Sequence, residues 1–79
     1  MLAEITGITR SVLRDPDLEI SVATTLDDIP GWDSMVLITV VVEAECRLGV
    51  MFEASEIDAL RTVGDLARTL AEKQARAAA

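Results

Sequence analysis

The chain of 79 residues carries 14 acidic against 7 basic side chains, which gives a formal net charge of −7. This balance argues against nucleic-acid binding, because proteins that bind nucleic acids present basic faces to the phosphates. It favours electrostatic steering towards basic partner surfaces, or simply the solubility of a small protein. One cysteine and no histidine exclude an internal disulfide and a metal site of the Cys/His type.

The length indicates a single domain, which we expect to span residues 1–76, with residues 77–79 as a frayed tail. Hydrophobic residues make up 51% of the chain, but with one Trp and one Phe the core must be aliphatic. No basic-then-apolar leader is visible, and the longest apolar run is far shorter than the roughly 20 residues that span a bilayer. We therefore expect a monomeric cytoplasmic protein without membrane insertion.

Residues 2–14 are predicted to form an amphipathic helix, because apolar side chains recur there at three- and four-residue spacing. The residues expected on its buried face are Leu2, Ile5, Ile8 or Thr9, Val12 and Leu13. Asp15-Pro16 ends the helix, since the residue before a proline is pushed out of helical geometry. A long loop follows as far as Trp32, and loops of this length are usually functional or disordered. Order is favoured by apolar residues that can hold the loop to the core: Leu18, Ile20, Val22, Leu26 and Ile29.

Residues 34–48 are predicted to form a second helix, although valine and isoleucine favour strands. The run exceeds the usual strand length, continues into charged residues and ends at Gly49, which supplies a C-cap. A helix places one set of residues near one face: Met35, Ile38, Val41, Val42, Glu45 and Leu48. The others lie elsewhere: Val36, Leu37, Thr39, Val40, Glu43 and Cys46. Such a broadly apolar helix is central in the fold or presents an apolar patch to a partner.

Two capping sequences predict the remaining helices. Ser55-Glu56-Ile57-Asp58 is expected to start a short helix that Leu60 closes. Thr62-Val63-Gly64-Asp65 is expected to start a last helix that runs to about Gln74. The residues expected to face inward from it are Val63, Leu66, Ala67 and Leu70. The pattern predicts an all-α fold, a small four-helix bundle with three longer helices, a short third helix and a long loop between helices 1 and 2.

The residue inventory argues against an enzyme, since the chain has no His, no Tyr and no glycine-rich phosphate loop. Asp27, Asp28 and Asp33 could form a carboxylate cluster, but acids in a loop are more often solvated. Ser34 has no base in the sequence around it that would activate it as a nucleophile. Trp32 is expected to pack against the loop and the neighbouring helix.

Asp33 and Ser34 follow the Pro30-Gly31 turn at the start of the second helix. Asp33 falls at the N-cap position, where a carboxylate accepts a hydrogen bond from the first turn. The Ser34 hydroxyl is then exposed at the positive end of the helix dipole, where free backbone N–H groups favour a phosphate. We therefore expect Ser34 to carry a phosphate-linked group.

Asp33-Ser34-Met35 is similar to the Asp-Ser-Leu signature of acyl and peptidyl carrier proteins. The tripeptide is a weak motif by itself, but the similarity covers nearly the whole chain in order and spacing. The other matching segments are Leu26-x-x-Ile29-x-x-Trp32 before the serine, Glu45 with Leu48-Gly49-Val50 at the end of the second helix, and Leu60-Arg61-Thr62-Val63-Gly64-Asp65-Leu66 at the entry to the last. Met35 in the usual leucine position is a conservative change.

The resemblance implies a four-helix carrier fold with a covalent 4′-phosphopantetheine, which a phosphopantetheinyl transferase moves from coenzyme A to the Ser34 hydroxyl. The terminal thiol of this arm carries an acyl or aminoacyl group as a thioester, supplied by a loading enzyme and used by downstream transferases or synthases. The transferase supplies the catalytic groups and magnesium, so the resemblance implies a carrier and not an enzyme.

The second helix departs from many stand-alone carriers, which present a strongly acidic surface there. We expect partners to dock on Met35, Val36, Thr39, Val40, Glu43, Glu45 and Arg47. Because apolar groups bind through burial and acids through steering, this surface predicts a different choice of partner. It favours a discrete carrier in a specialised pathway, for a polyketide-like, amino-acid or modified-lipid product, over the housekeeping fatty-acid carrier. The alternative is a small acidic interaction domain that binds through Val36 and Val40 and is never modified.

Overall fold

The computed structural model describes residues 1–78, and within them the chain forms a bundle of four α-helices. In chain order these are α1 (Leu2–Leu13), α2 (Ser34–Leu48), α3 (Ala54–Asp58) and α4 (Val63–Ala78), with a 3-10 turn (Leu26–Asp28) between α1 and α2. The predicted all-α bundle with a short third helix and a long first loop is confirmed.

Helix α1 lies at the centre of the packing, because it contacts both α2 and α4. The side chains at these contacts are aliphatic, as the composition predicts, and each contributes about 1.5–3 kcal/mol when fully buried. The residues with at most 1% of their surface exposed are Ile5, Ile8, Thr9, Val40, Val41, Ala44, Val63, Leu66 and Leu70. The hydroxyl of Thr9 donates to the Ile5 carbonyl at 2.8 Å, so this buried polar group is satisfied.

The end of α1 falls one residue before the predicted limit, because Arg14 adopts a left-handed conformation with φ 55°. The Asp15 N–H then donates back to the Arg10 carbonyl at 3.0 Å. The Arg10 Nε donates to the Leu18 carbonyl at 2.7 Å, which fastens the start of the loop to α1. Of the five loop residues expected to hold it to the core, Leu18, Leu26 and Ile29 are buried and Ile20 is half-buried, whereas Val22 is 56% exposed.

Three backbone hydrogen bonds join the second half of this loop to the entry of α4. The N–H of Leu26 donates to Arg61, that of Val63 to Thr24 and that of Gly64 to Val22, all at 2.9 Å. We call these bonds the 22–26/61–64 pairing. They satisfy backbone groups that would otherwise need water, and so they order a loop that has little regular structure of its own.

The starts of the last two helices are only partly as predicted. Helix α3 begins at Ala54 and not at a Ser55 cap, because Glu56 reaches back and its Oε1 accepts the Glu53 N–H at 2.9 Å. Helix α4 has the predicted reciprocal cap. The Thr62 N–H donates to Asp65 Oδ2 and the Asp65 N–H donates to Thr62 Oγ1, both at 3.1 Å.

The C-terminal end of α4 was predicted near Gln74, but the helix continues to Ala78. Alanine has the highest helix propensity, which explains the continuation into Ala77 and Ala78. Residues 77–79 were predicted to be a frayed tail. Ala77 and Ala78 are instead helical, and Ala79 lies outside the described residues.

Gly64 and Gly7 form a matched pair for testing the 22–26/61–64 pairing. A Cβ on Gly64 would lie 2.7 Å from the Val22 carbonyl oxygen, whereas a Cβ on Gly7 meets nothing within 4 Å. We expect Gly64→Ala to destabilise the fold by about 1–3 kcal/mol, because the loop must move away. Gly7→Ala should stabilise it by about 0.5–1 kcal/mol through helix propensity. Urea unfolding of both variants measures the two effects, and equal stability would contradict the close approach.

We expect Asp65 to contribute to the acid sensitivity of the fold. Hydrogen bonds from the backbone N–H groups of Thr62 and Arg61, followed by the Arg68 guanidinium, lower the pKa of this carboxyl below its usual 3.8. The fold favours the ionised form of Asp65. The contribution of this carboxylate to stability is therefore fully present above pH 3.8, the usual pKa, and is lost as the pH falls through the lowered pKa of the folded state. We expect the melting-temperature difference between wild type and Asp65→Asn to be largest at pH 7 and to close towards pH 3.

The control for this measurement is Glu72→Gln on the exposed side of the same helix. The difference in melting temperature between Glu72→Gln and the wild type should change little over the same pH range. A gap for Asp65→Asn that widens on acidification would show that the sign of the pKa shift is wrong.

Candidate functional site

Ser34 is the first residue of α2, and its side chain is exposed. The preceding Asp33 has an extended backbone and occupies the N-cap position, where its Oδ1 accepts the Val36 N–H at 2.8 Å. The Asp33 carbonyl accepts the Leu37 N–H at 3.0 Å. A cap of this kind stabilises a helix by about 1 kcal/mol, so Asp33 fixes where α2 begins and where the hydroxyl lies.

Two backbone N–H groups remain available beside that hydroxyl. Within residues 1–78, the N–H groups of Ser34 and Met35 have no protein acceptor, because Asp33 serves Val36 and Leu37. Together with the positive end of the α2 dipole, they suit an oxyanion attached at Ser34. The Ser34 hydroxyl also has no hydrogen-bond partner among the described residues, so no protein base activates it here.

Trp32 sets the angle at which the chain enters α2. Its N–H donates to the carbonyl of the buried Ile29 at 3.0 Å, and its ring packs against the core, as the sequence predicted. Trp32 and Leu37 occupy the positions just before the cap and four residues after it, where an apolar pair forms a hydrophobic staple. The predictions from the sequence do not include this staple, whose signal is the spacing of the two apolar residues around Asp33.

A cavity of about 270 Å³ lies beside the start of α2. Its walls come from the loop, from α2 and from α3 with the segment that follows it, and both apolar and charged side chains line it. The lining residues are Thr25, Leu26, Asp27, Trp32, Leu37, Ile57, Asp58, Leu60 and Arg61. The sequence did not reveal this cavity, because its walls come from segments far apart in the chain.

The rotation of α2 about its axis differs from the predicted one. The buried stripe consists of Val40, Val41 and Ala44, and Val40 is completely buried. The prediction that Val40 contacts partners is therefore wrong, and Val36 is only partly available because it is half-buried against the core. The physical reason is that the helix carries no charge over residues 34–42 and is apolar over much of its circumference, so the sequence offers no charged face there to fix the rotation.

The outer face of α2 is uncharged over most of its length. Met35 is 70% exposed and Val42 48% exposed, and Ile38, Thr39 and Cys46 are exposed beside them. We call these five residues the α2 outer face. Their spacing of three and four residues places them on one side of the helix, about 16 Å long at 1.5 Å per residue.

The charged residues predicted for docking have partners within the chain. Arg47 Nη2 lies 3.4 Å from Glu43 Oε1, an exposed ion pair one turn apart at the edge of the α2 outer face. Glu45 Oε2 accepts the Phe52 N–H at 2.7 Å, so this carboxylate fixes the connection to α3. Of the two acids, Glu43 is thus better placed to meet a partner.

The model of the family described as the phosphopantetheine attachment site matches residues 3–70. This is most of the chain, so the protein belongs to that family of acyl and peptidyl carrier proteins. It is a carrier and not an enzyme, and phosphopantetheine is its prosthetic group.

Two solved structures resemble the fold. A solution NMR structure of the holo acyl carrier protein from Geobacter metallireducens has 33% identity and a TM-score of 0.87, covering 95% of this chain and 86% of that one. An acyl carrier protein assigned in Mycobacterium tuberculosis has 25% identity and a TM-score of 0.82, covering 90% of this chain and 95% of that one. No curated protein matches the chain. None of the helices within residues 1–78 has the length and apolarity to span a bilayer.

Proposed function

We propose that this protein carries acyl or aminoacyl intermediates as thioesters on a 4′-phosphopantetheine arm joined to the Ser34 oxygen. The observation that carries the proposal is the position of Ser34, an exposed hydroxyl on the first residue of α2 inside the segment that matches the family. The arm supplies a terminal thiol that holds the cargo.

The residues around Ser34 fit a phosphodiester. Asp33 fixes the first turn of α2 through its bond to Val36, and the free N–H groups of Ser34 and Met35 are available to the phosphate oxygens. Ser34 lacks a base, so the transferase must take the proton from the hydroxyl when the serine oxygen bonds to the phosphorus of coenzyme A that bears the pantetheine arm. The bond from this phosphorus to the bridging pyrophosphate oxygen breaks in the same step, and adenosine 3′,5′-bisphosphate leaves with that oxygen. This chain therefore presents the hydroxyl nucleophile, and the transferase activates it.

The α2 outer face supports a carrier of a specialised pathway. Met35, Ile38 and Val42 give this face an apolar character, and Glu43 is paired with Arg47 at its edge. An apolar surface of this kind gains affinity from burial in a complementary pocket, more than from charge. We infer that the loading enzyme or a downstream synthase of a polyketide-like, amino-acid or modified-lipid pathway presents an apolar pocket to it, and that this takes place in the cytoplasm.

Modification of Ser34 is tested by the mass of the intact protein. We expect incubation with coenzyme A, magnesium and a transferase of broad specificity to add one phosphopantetheine to the wild type. Ser34→Ala should gain no mass, because no hydroxyl is presented at the start of α2. Ser55→Ala on the exposed side of α3 is the control, and it should be modified like the wild type.

An unchanged mass of the wild type with several transferases would overturn the proposal. It would favour the alternative of an interaction domain that is never modified. In that case Ser34→Ala would leave complex formation unchanged, whereas a charge on the α2 outer face would abolish it.

Partner docking is tested by placing a charge on the α2 outer face. We expect Val42→Asp to lower the rate of cargo loading by about fivefold or more, since a residue central to an interface typically contributes more than 1 kcal/mol. Ala75→Asp adds the same charge to the exposed side of α4 and should leave loading unchanged. Loading is measured by intact mass under subsaturating enzyme. Equal rates for the two variants would place docking on another surface.

A further inference from the structure

Met35 follows Ser34 directly and is the most exposed large hydrophobic residue of the α2 outer face, with 70% of its surface accessible. Its backbone is fixed in the first turn of α2, because its carbonyl accepts the Thr39 hydroxyl at 2.7 Å and the Asp33 cap sets where the helix begins. The flexible thioether at the end of its side chain is therefore presented to solvent beside the Ser34 hydroxyl.

The three methionines of the chain lie in different surroundings. Met1 is half-buried and packs against the core, whereas Met51 is 77% exposed in the connection between α2 and α3. Met35 and Met51 are both open to solvent, but they lie at opposite ends of α2, and Met35 alone is next to Ser34. Met51 is therefore a matched control for any chemistry of the Met35 sulfur.

Exposed thioethers are oxidised by peroxides to sulfoxides. The sulfur lone pair attacks one oxygen of hydrogen peroxide, so that an S–O bond forms, the O–O bond breaks and the other oxygen leaves as water. The sulfur is oxidised by two electrons and the peroxide is reduced. The product has a polar oxygen on a side chain that was apolar. The leucine usual at this position in carrier proteins offers no sulfur for this reaction.

We propose that Met35 is a site of reversible oxidation by peroxides, and that its sulfoxide hinders docking of the transferase at Ser34. This inference rests on the proposed function, in which Met35 is part of the docking surface. The transferase covers the reduced side chain as apolar surface. The sulfoxide brings a polar oxygen into the same contact, where it loses water without a donor to replace it. The oxidised carrier therefore acquires its arm slowly until the sulfoxide is reduced.

The fold should be unaffected by this oxidation. The buried stripe of α2 consists of Val40, Val41 and Ala44, and Met35 does not belong to the core or to the residues packed against it. We therefore expect the oxidised protein to keep the helical circular dichroism of the untreated protein.

The experiment oxidises the full chain with unmodified Ser34 in dilute hydrogen peroxide. Intact mass counts the added oxygen atoms, and peptide mapping assigns them to the methionines or to the exposed Cys46. The initial rate of phosphopantetheine addition is then measured with coenzyme A, magnesium and a transferase, at subsaturating carrier. Wild type, Met35→Leu and Met51→Leu are each compared with their own untreated sample, so differences in starting rate do not enter.

We expect oxidation to lower the rate of the wild type roughly tenfold, the loss that a residue central to an interface typically causes. Met51→Leu should lose as much, whereas Met35→Leu should keep the rate of its untreated sample. Dithiothreitol alone reverses disulfide and sulfenic oxidation of Cys46 and should restore nothing. Dithiothreitol together with methionine sulfoxide reductases for both epimers should restore the rate.

The proposal is overturned if oxidation leaves the wild-type rate unchanged, if Met35→Leu loses as much as the wild type, if dithiothreitol alone restores the rate, or if oxidation reduces the helical content. Met35→Gln is a second variant that carries a polar group without oxidation. It should be modified slowly from the start and lose nothing further in peroxide.

The untreated wild type separates the two proposals. If the untreated wild type is not modified at Ser34, the proposed carrier function fails. If it is modified equally well before and after oxidation of Met35, only the oxidation proposal fails.

Discussion

The structure depends on three hydrogen bonds between segments that are far apart in the chain. The 22–26/61–64 pairing ties the loop to the entry of α4, and the 3-10 turn follows directly from it. From there the buried Ile29 and the half-buried Trp32 lead the chain to the cap at Asp33. The position of Ser34 is thus set from outside α2 as well as by the helix itself. A loop that looks irregular is therefore an ordered support for the attachment point.

The acidic residues of the loop before α2 and the uncharged first part of α2 are separate segments of the chain. Within residues 15–28 there are acids and no bases, namely Asp15, Asp17, Glu19, Asp27 and Asp28. Residues 34–42 carry no charge at all. Charge can therefore attract a basic surface to this loop, whereas the α2 outer face can contribute to binding through burial alone. A partner whose basic residues are placed to meet an acidic α2 would find no acidic residue opposite them over residues 34–42.

Helix positions and caps could largely be predicted from the sequence, because their signals are local. Asp33, the Thr62–Asp65 pair and Gly49 mark ends that depend on neighbouring residues, and Gly49 indeed adopts the left-handed cap with φ 66°. The start of α3 was missed because a glutamate at position 53 competes with the serine that looked like the cap.

The rotation of α2 could not be predicted, since an apolar run carries no information about which side faces α1. Val40 was therefore assigned to the surface, while the complete burial of Ala44 shows where the neighbouring elements approach. The cavity and the ion pair between Lys73 and Glu56 were equally out of reach. Both depend on α3 meeting segments more than ten residues away, and such contacts leave no periodic pattern in the sequence.

The central place of α1 has a consequence for how the protein is made. Ile5 and Ile8 of α1 are synthesised well before α4, which packs against α1 together with α2. A nascent chain that ends before residue 61 leaves α1 without α4, and its loop has no partner in residues 61–64. The bundle therefore completes its folding only after α4 has been synthesised, as one cooperative step and not helix by helix.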